Sequence, residues 1–244
     1  MSSRTTIAYK PLINAGTAIL TIRLFTTIYS GSIIILVVLI PSISSILSIL
    51  LQVPTYIGFL ASLLLLIFIL KTFQRMEIDP RITSDNKNRI KVGKISTLIL
   101  IIILSLVGIF YMVVVIFYVE LSLITLSEIM AYILIYSLIV LEIINGIFVI
   151  ITFVCLSKIL WGFDDLVELR IFLHFTRWYG IFVAIGQLIA GITLIVLLPT
   201  GSTVFIEILL IVSLTSSIFT GIAGIFQIVI AIGFILIGRR LNIS

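Results

Sequence analysis

Apolar residues run along this chain in blocks, without the strict alternation of a half-buried strand or the narrow stripe of a soluble amphipathic helix. Gly31 to Leu70, Ile95 to Tyr118, Ala131 to Ser157, Tyr179 to Leu198 and Thr203 to Ile237 are nearly unbroken. About 20 apolar residues cross a bilayer as a helix, and only helices or closed barrels satisfy their own backbone there. The blocks predict an all-α polytopic transmembrane bundle of about six spans. Residues 1–244 form a single integral membrane domain.

The first block, 31–70, is too long for one crossing and must contain a turn. Gln52-Val53-Pro54-Thr55 is one candidate, with spans 31–51 and 54–70 and Pro54 in a first helical turn. Pro41-Ser42-Ile43-Ser44 is the other, with spans 24–40 and 46–70. The first is preferred. Residues 1–30 are read as an interfacial segment or a long inner extension of the first span. The 203–237 block is read as one helix, with small residues at its middle.

Two polar segments separate the blocks. Residues 71–94, with seven Lys/Arg against three acids, are read as a basic cytoplasmic loop, and 158–178 as a second, shorter cytoplasmic segment. Six crossings with both termini cytoplasmic place all 15 Lys and Arg on the cytoplasmic side, and the outer side keeps only Glu120, Glu128 and Glu207. This is the asymmetry of positive-inside topology. A seventh crossing would expel Arg239 and Arg240, so it is rejected. The chain is therefore expected in the cell membrane as a multi-pass protein. Its opening segment lacks the form of a cleavable signal.

Composition supports this reading. The chain is 61% hydrophobic and 10% charged, whereas soluble domains carry roughly 25% charged residues. One cysteine, Cys155, excludes an intrachain disulfide. One histidine, His174, excludes a bis-His haem and a common structural zinc site within this chain. No phosphate-loop, dinucleotide, zinc-protease or serine-hydrolase motif occurs. No cofactor, no metal, no catalytic residue and no nucleic-acid partner are expected, and the chain is read as a non-enzyme.

What chemistry remains lies in two places. Glu142 falls near the centre of the 131–157 span, with Asn145 on the same face. Gln187 in the fifth span, and Thr220 with Ser217 in the sixth, lie at comparable depth, as does Ser105 in the third. An ionisable residue at bilayer depth is costly and marks a functional site by default. Glu142, Asn145, Gln187 and Thr220 are thus a candidate ion or proton site. The competing reading is structural: a neutral Glu142 that hydrogen-bonds between helices. On the inner side, Arg170, His174 and Arg177 share one helical face and suit lipid phosphates. Asp164, Asp165 and Glu168 are read as a solvated acidic surface. Small residues at Gly180, Ala184, Ser217 and Gly221 are expected to bring the fifth and sixth helices close.

The WGFDDLVEL segment and the IGQLIAGITLI and IVIAIGFILIG helices, between Trp161 and Arg240, resemble uncharacterised Ile-rich multi-pass membrane proteins of Sulfolobus-type archaea. The resemblance implies an integral membrane family and transfers no site residues. The expected role is a non-enzymatic structural or accessory subunit of a membrane assembly, surrounded by membrane lipids and joined to further copies or other membrane subunits. The alternative is a small-solute or ion transporter or channel using Glu142.

Overall fold

A computed structural model describes residues 9–39, 44–120, 128–197 and 204–243, with side chains chiefly over 9–29, 59–109, 140–189 and 222–242. It contains six long helices: α1 (Lys10–Leu39), α2 (Ser44–Glu77), α3 (Ser84–Glu120), α4 (Glu128–Trp161), α5 (Arg170–Leu197) and α6 (Val204–Ile243). A short 3₁₀ helix, Asp164–Leu169, joins α4 to α5. Among the described residues there is no strand.

The helices have 28 to 40 residues, or roughly 42–60 Å at 1.5 Å per residue. A hydrocarbon core is about 30 Å thick. The helices therefore run past the apolar blocks into the polar sequence. Most of 71–94 is helical, because α2 continues to Glu77 and α3 begins at Ser84, leaving only 78–83 outside helices. The 203–237 block is one helix, as expected.

The preferred hairpin turn at 52–55 is corrected: those residues lie inside α2, and the break between α1 and α2 falls at 40–43, outside the described residues. Pro54 misled because proline is tolerated within membrane helices, where neighbouring groups can satisfy the freed carbonyl. Residues from Lys10 onward belong to the same helix as the first span, so the described part of 1–30 is an extension of that span.

Each helix packs on its neighbours in sequence, and α1 packs on α6, so the six form a closed ring. Serine and threonine mark several of the seams. Ser96 of α3 lies 2.9 Å from Thr152 of α4 and donates to the Phe148 carbonyl at 2.9 Å. Ser157 of α4 donates to the Leu173 carbonyl of α5 at 2.8 Å. The α1–α6 seam rests on two glycines. Gly16 lies against the Ala231 carbonyl, and Gly238 against Ile13, leaving no room for a side chain at either position.

The polarity of α3 is inverted relative to a soluble helix. Ser96 and Thr97 are buried, while Ile95, Leu98, Ile102, Leu106 and Ile109 form an exposed stripe at helical spacing. Such a surface is stable only where the solvent is itself apolar. Among the described residues, five stretches are long and apolar enough to cross a membrane: Lys10–Tyr29, Phe59–Glu77, Ser84–Ile109, Val140–Trp161 and Ile222–Asn242. The described part of α5 is diluted by Arg170, His174 and Arg177. The chain is an integral, multi-pass membrane protein.

The small-residue expectation is corrected for Gly180 and Ala184, while the side-chain surroundings of Ser217 and Gly221 lie outside the described residues. Gly180 packs against Phe153 and the Val149 carbonyl, and Ala184 against Gly146, so this face meets α4. The contact with α6 sets aromatic rings against each other and against a glycine, with Gly233 of α6 lying on Phe172 of α5. Phe175 and Phe182 pack on Phe226 at centroid distances of 5.5 and 5.2 Å.

Candidate functional site

On α4, Asn145 is buried and lies within hydrogen-bonding reach of the Glu142 carboxyl, one turn away. The next small residue, Gly146, faces α5. A methyl placed there would sit 3.4 Å from Ala184 Cα and 3.3 Å from Gln187 Oε1. The absence of a side chain at 146 is what admits Gln187 to the α4–α5 seam. Gln187 Oε1 is buried and accepts no hydrogen bond. Gln187 thus meets α4 at Gly146, one residue after Asn145 and one helical turn after Glu142. Thr220 lies on α6, but its side chain and that of Ser217 are outside the described residues. Ser105 donates to the Ile101 carbonyl of its own helix at 2.7 Å and takes no part. Chemically, this part of the α4–α5 seam holds a buried amide oxygen without a donor, with a carboxyl one turn away along α4.

A second polar cluster joins three helices and was not anticipated. Arg23 Nε of α1 donates to Gln227 Oε1 of α6 at 2.5 Å, and Gln227 Nε2 donates to the Tyr179 hydroxyl of α5 at 2.6 Å. The Tyr179 ring meets Phe153 of α4 edge-on at 4.8 Å. Arg23 is 13 residues into the chain from Lys10, about 20 Å of helical rise. The sequence signal was a lone Arg in an apolar run. Counted along the chain it is one of the cytoplasmic charges, but it lies within the candidate span Lys10–Tyr29, and its partner, Gln227, is 204 residues away.

The third cluster closes the basic end of the ring. Asp79-Pro80-Arg81-Ile82 is a turn with the Ile82 amide donating to the Asp79 carbonyl at 3.1 Å, and Pro80 sits where its fixed φ favours the bend. Asp79 Oδ1 accepts the Arg81 amide at 2.9 Å, and Oδ2 accepts the Arg81 guanidinium at 3.0 Å. Oδ2 also accepts the Tyr9 hydroxyl at 2.6 Å. Arg81 lies 5.2 Å from the Phe163 ring and 3.5 Å from Asp165 Oδ2. Tyr9 meets Phe163 edge-on at 6.3 Å, and its amide donates to Asn242 Oδ1 at 2.5 Å.

One clasp thus joins the start of α1, the α2–α3 turn, the α4–α5 junction and the end of α6. It places both described ends of the chain at the same end of the bundle, as an even number of crossings requires. Burial pushes the Asp79 carboxyl up, but the hydrogen bonds from Arg81 and Tyr9 outweigh this and hold it below its ordinary value. Burial, followed by the Asp79 hydrogen bond, pushes the Tyr9 hydroxyl up. The Asp79 hydrogen bond raises Arg81.

Arg170, His174 and Arg177 do converge, all on α5, around Trp161 at the end of α4. Both guanidinium carbons lie 5.0 Å from the indole centroid, and the His174 ring meets it edge-on at 4.9 Å. Asp164, Asp165 and Glu168 lie apart from α5, on the 3₁₀ helix, and are exposed. Among the described residues, no three His, Cys, Asp or Glu side chains are grouped to hold a metal. No family model, curated protein or solved structure matches this chain.

Proposed function

We propose that the chain is a non-enzymatic scaffold or accessory subunit of a membrane assembly, in the cell membrane with its basic end in the cytoplasm. The observation that carries this reading is how the polar side chains between helices are used. Ser96–Thr152, Ser157–Leu173 and Arg23–Gln227–Tyr179 each join one helix to another. Groups committed to intramolecular bonds hold helices together and do not line a path for a solute. The exposed apolar stripe of α3 offers a face to lipid, to another copy or to a different membrane subunit. The charge asymmetry supports the orientation. Lys87 should resist a membrane-impermeant amine reagent in intact cells and react in inverted vesicles; labelling from outside would refute that orientation.

A second reading, a proton or small-cation site, is favoured by the acceptor on Gln187 that lacks a donor, at Gly146 one turn along α4 from Glu142. Glu142→Gln decides between the two. Under the scaffold reading the variant folds, assembles and melts within about 1 kcal/mol of the parent, since an amide of the same shape replaces the carboxyl. A proton or cation flux in proteoliposomes that the parent supports and Glu142→Gln abolishes would establish the transport reading instead.

A further inference from the structure

The cluster at Trp161 has a feature the proposed function does not use. Arg170 and Arg177 each approach the same indole ring to 5.0 Å, so the two guanidinium carbons are at most about 10 Å apart. His174 stands against the same ring. Like charges held together call for a counter-anion, yet none of the ion pairs among the described residues includes any of the three. The nearby acids do not serve: Asp165 faces Arg81, while Asp164 and Glu168 are exposed.

The two arginines differ in a telling way. Arg177 is committed, its Nε donating to Ser157 Oγ at 2.8 Å, and Ser157 in turn donates to the Leu173 carbonyl. Arg170 is not. Its Nε is buried and has no acceptor. A buried charged donor without an acceptor carries a full desolvation cost, and Nε with its neighbouring Nη is the edge by which arginine grips an oxyanion with two parallel bonds. Trp161 lies against the same guanidinium in a cation–π contact, and no described group of the protein accepts a hydrogen bond from Nε. The position, at the basic end beside the exposed indole of Trp178, is where an interfacial tryptophan meets the headgroup layer.

We infer that Arg170, Arg177 and Trp161 form a binding site for a single phosphate group, with Arg170 Nε and Nη as the fork, Arg177 as the second positive charge and the indole as the platform. The ligand class is a phosphate ester, from a lipid headgroup or from a soluble phosphate. This sharpens the lipid-contact expectation from a charged face to one fork on one residue, and it is independent of whether the chain is a scaffold or a transporter.

The test uses the full chain carrying Trp178→Phe, purified in a maltoside detergent, so that Trp161 is its one tryptophan. Short-chain phosphatidic acid, inorganic phosphate and a fatty acid of matched chain length are titrated separately while Trp161 emission is followed. Phosphatidic acid is expected to give a saturable change, with the fatty acid at least tenfold weaker. A response to phosphatidic acid alone assigns the lipid headgroup as the source. An equal response to inorganic phosphate assigns a soluble phosphate, and either result supports the site. Arg170→Gln and Arg170→Lys should each weaken binding about tenfold, the lysine variant because it keeps the charge and loses the fork. Arg170→Lys also guards against a glutamine variant that fails to fold. Fatty acid binding as well as phosphatidic acid, no saturable response, or parental affinity in Arg170→Lys would each overturn the inference.

Discussion

Asp79→Ala is expected to loosen the basic end of the bundle more than any other single truncation there. The carboxylate accepts from the Tyr9 hydroxyl, the Arg81 amide and the Arg81 guanidinium, and it is only 3% exposed. Removing it leaves the buried Tyr9 hydroxyl without its acceptor and frees the turn that separates α2 from α3. An unsatisfied buried group costs about 1–3 kcal/mol. Arg81 is partly exposed and recovers water, so the loss should stay near that range, a fall of roughly 5–10 °C in the unfolding midpoint in detergent.

Tyr9→Phe should lose about 1 kcal/mol, since it removes one donor and no charge. The pH dependence has a definite sign. Asp79 is held below its ordinary value, so its contribution is present above the unfolded pKa of about 3.9 and is lost as pH falls through the lower folded value. The parent's midpoint should therefore fall more steeply on acidification below pH 4 than that of Asp79→Asn. Parallel profiles would show that the clasp does not form.

Gly16→Val should have the larger structural consequence. Even a methyl at this position meets the Ala231 carbonyl and the Ile235 side chain of α6, and the Ala231 obstacle is backbone that cannot rotate away. The branched side chain must push α1 off α6. Overpacking typically costs about 1–3 kcal/mol, sometimes more, and here it acts on the seam that closes the ring. Loss of a monodisperse solubilised species, or a midpoint lowered by about 10 °C, is the expected readout. Gly224→Ala, on the same helix, is the control, because its methyl meets only the Arg23 guanidinium at 3.9 Å. If Gly16→Val melts with the parent, α1 and α6 are not in contact as described.

Much of the architecture was legible along the chain because the bilayer imposes a one-dimensional rule. A helix that satisfies its own backbone needs only enough apolar residues to cross, and that can be counted. The failures have the same origin. Hydropathy marks where lipid begins, but a helix continues into water wherever its backbone remains regular, so most of 71–94 is helix and not loop. The 52–55 turn failed because Pro54 is a strong breaker in water and a weak one among packed membrane helices.

Taken alone, the sequence determined the fold class, the integral-membrane nature of the chain and the residues Arg170, His174 and Arg177 as a common face, since all of these depend on composition or on spacing within one helix. Tertiary structure decided which residues meet across helices. Gly146 made room for Gln187, Arg23 found Gln227, and Asp79 found Tyr9 across 70 residues. It also decided that Arg170 and Arg177 converge on Trp161, with Arg170 Nε buried and without an acceptor. The physical reason is that a helix fixes the angle between its own residues, whereas the partner opposite each one depends on how six helices close into a ring.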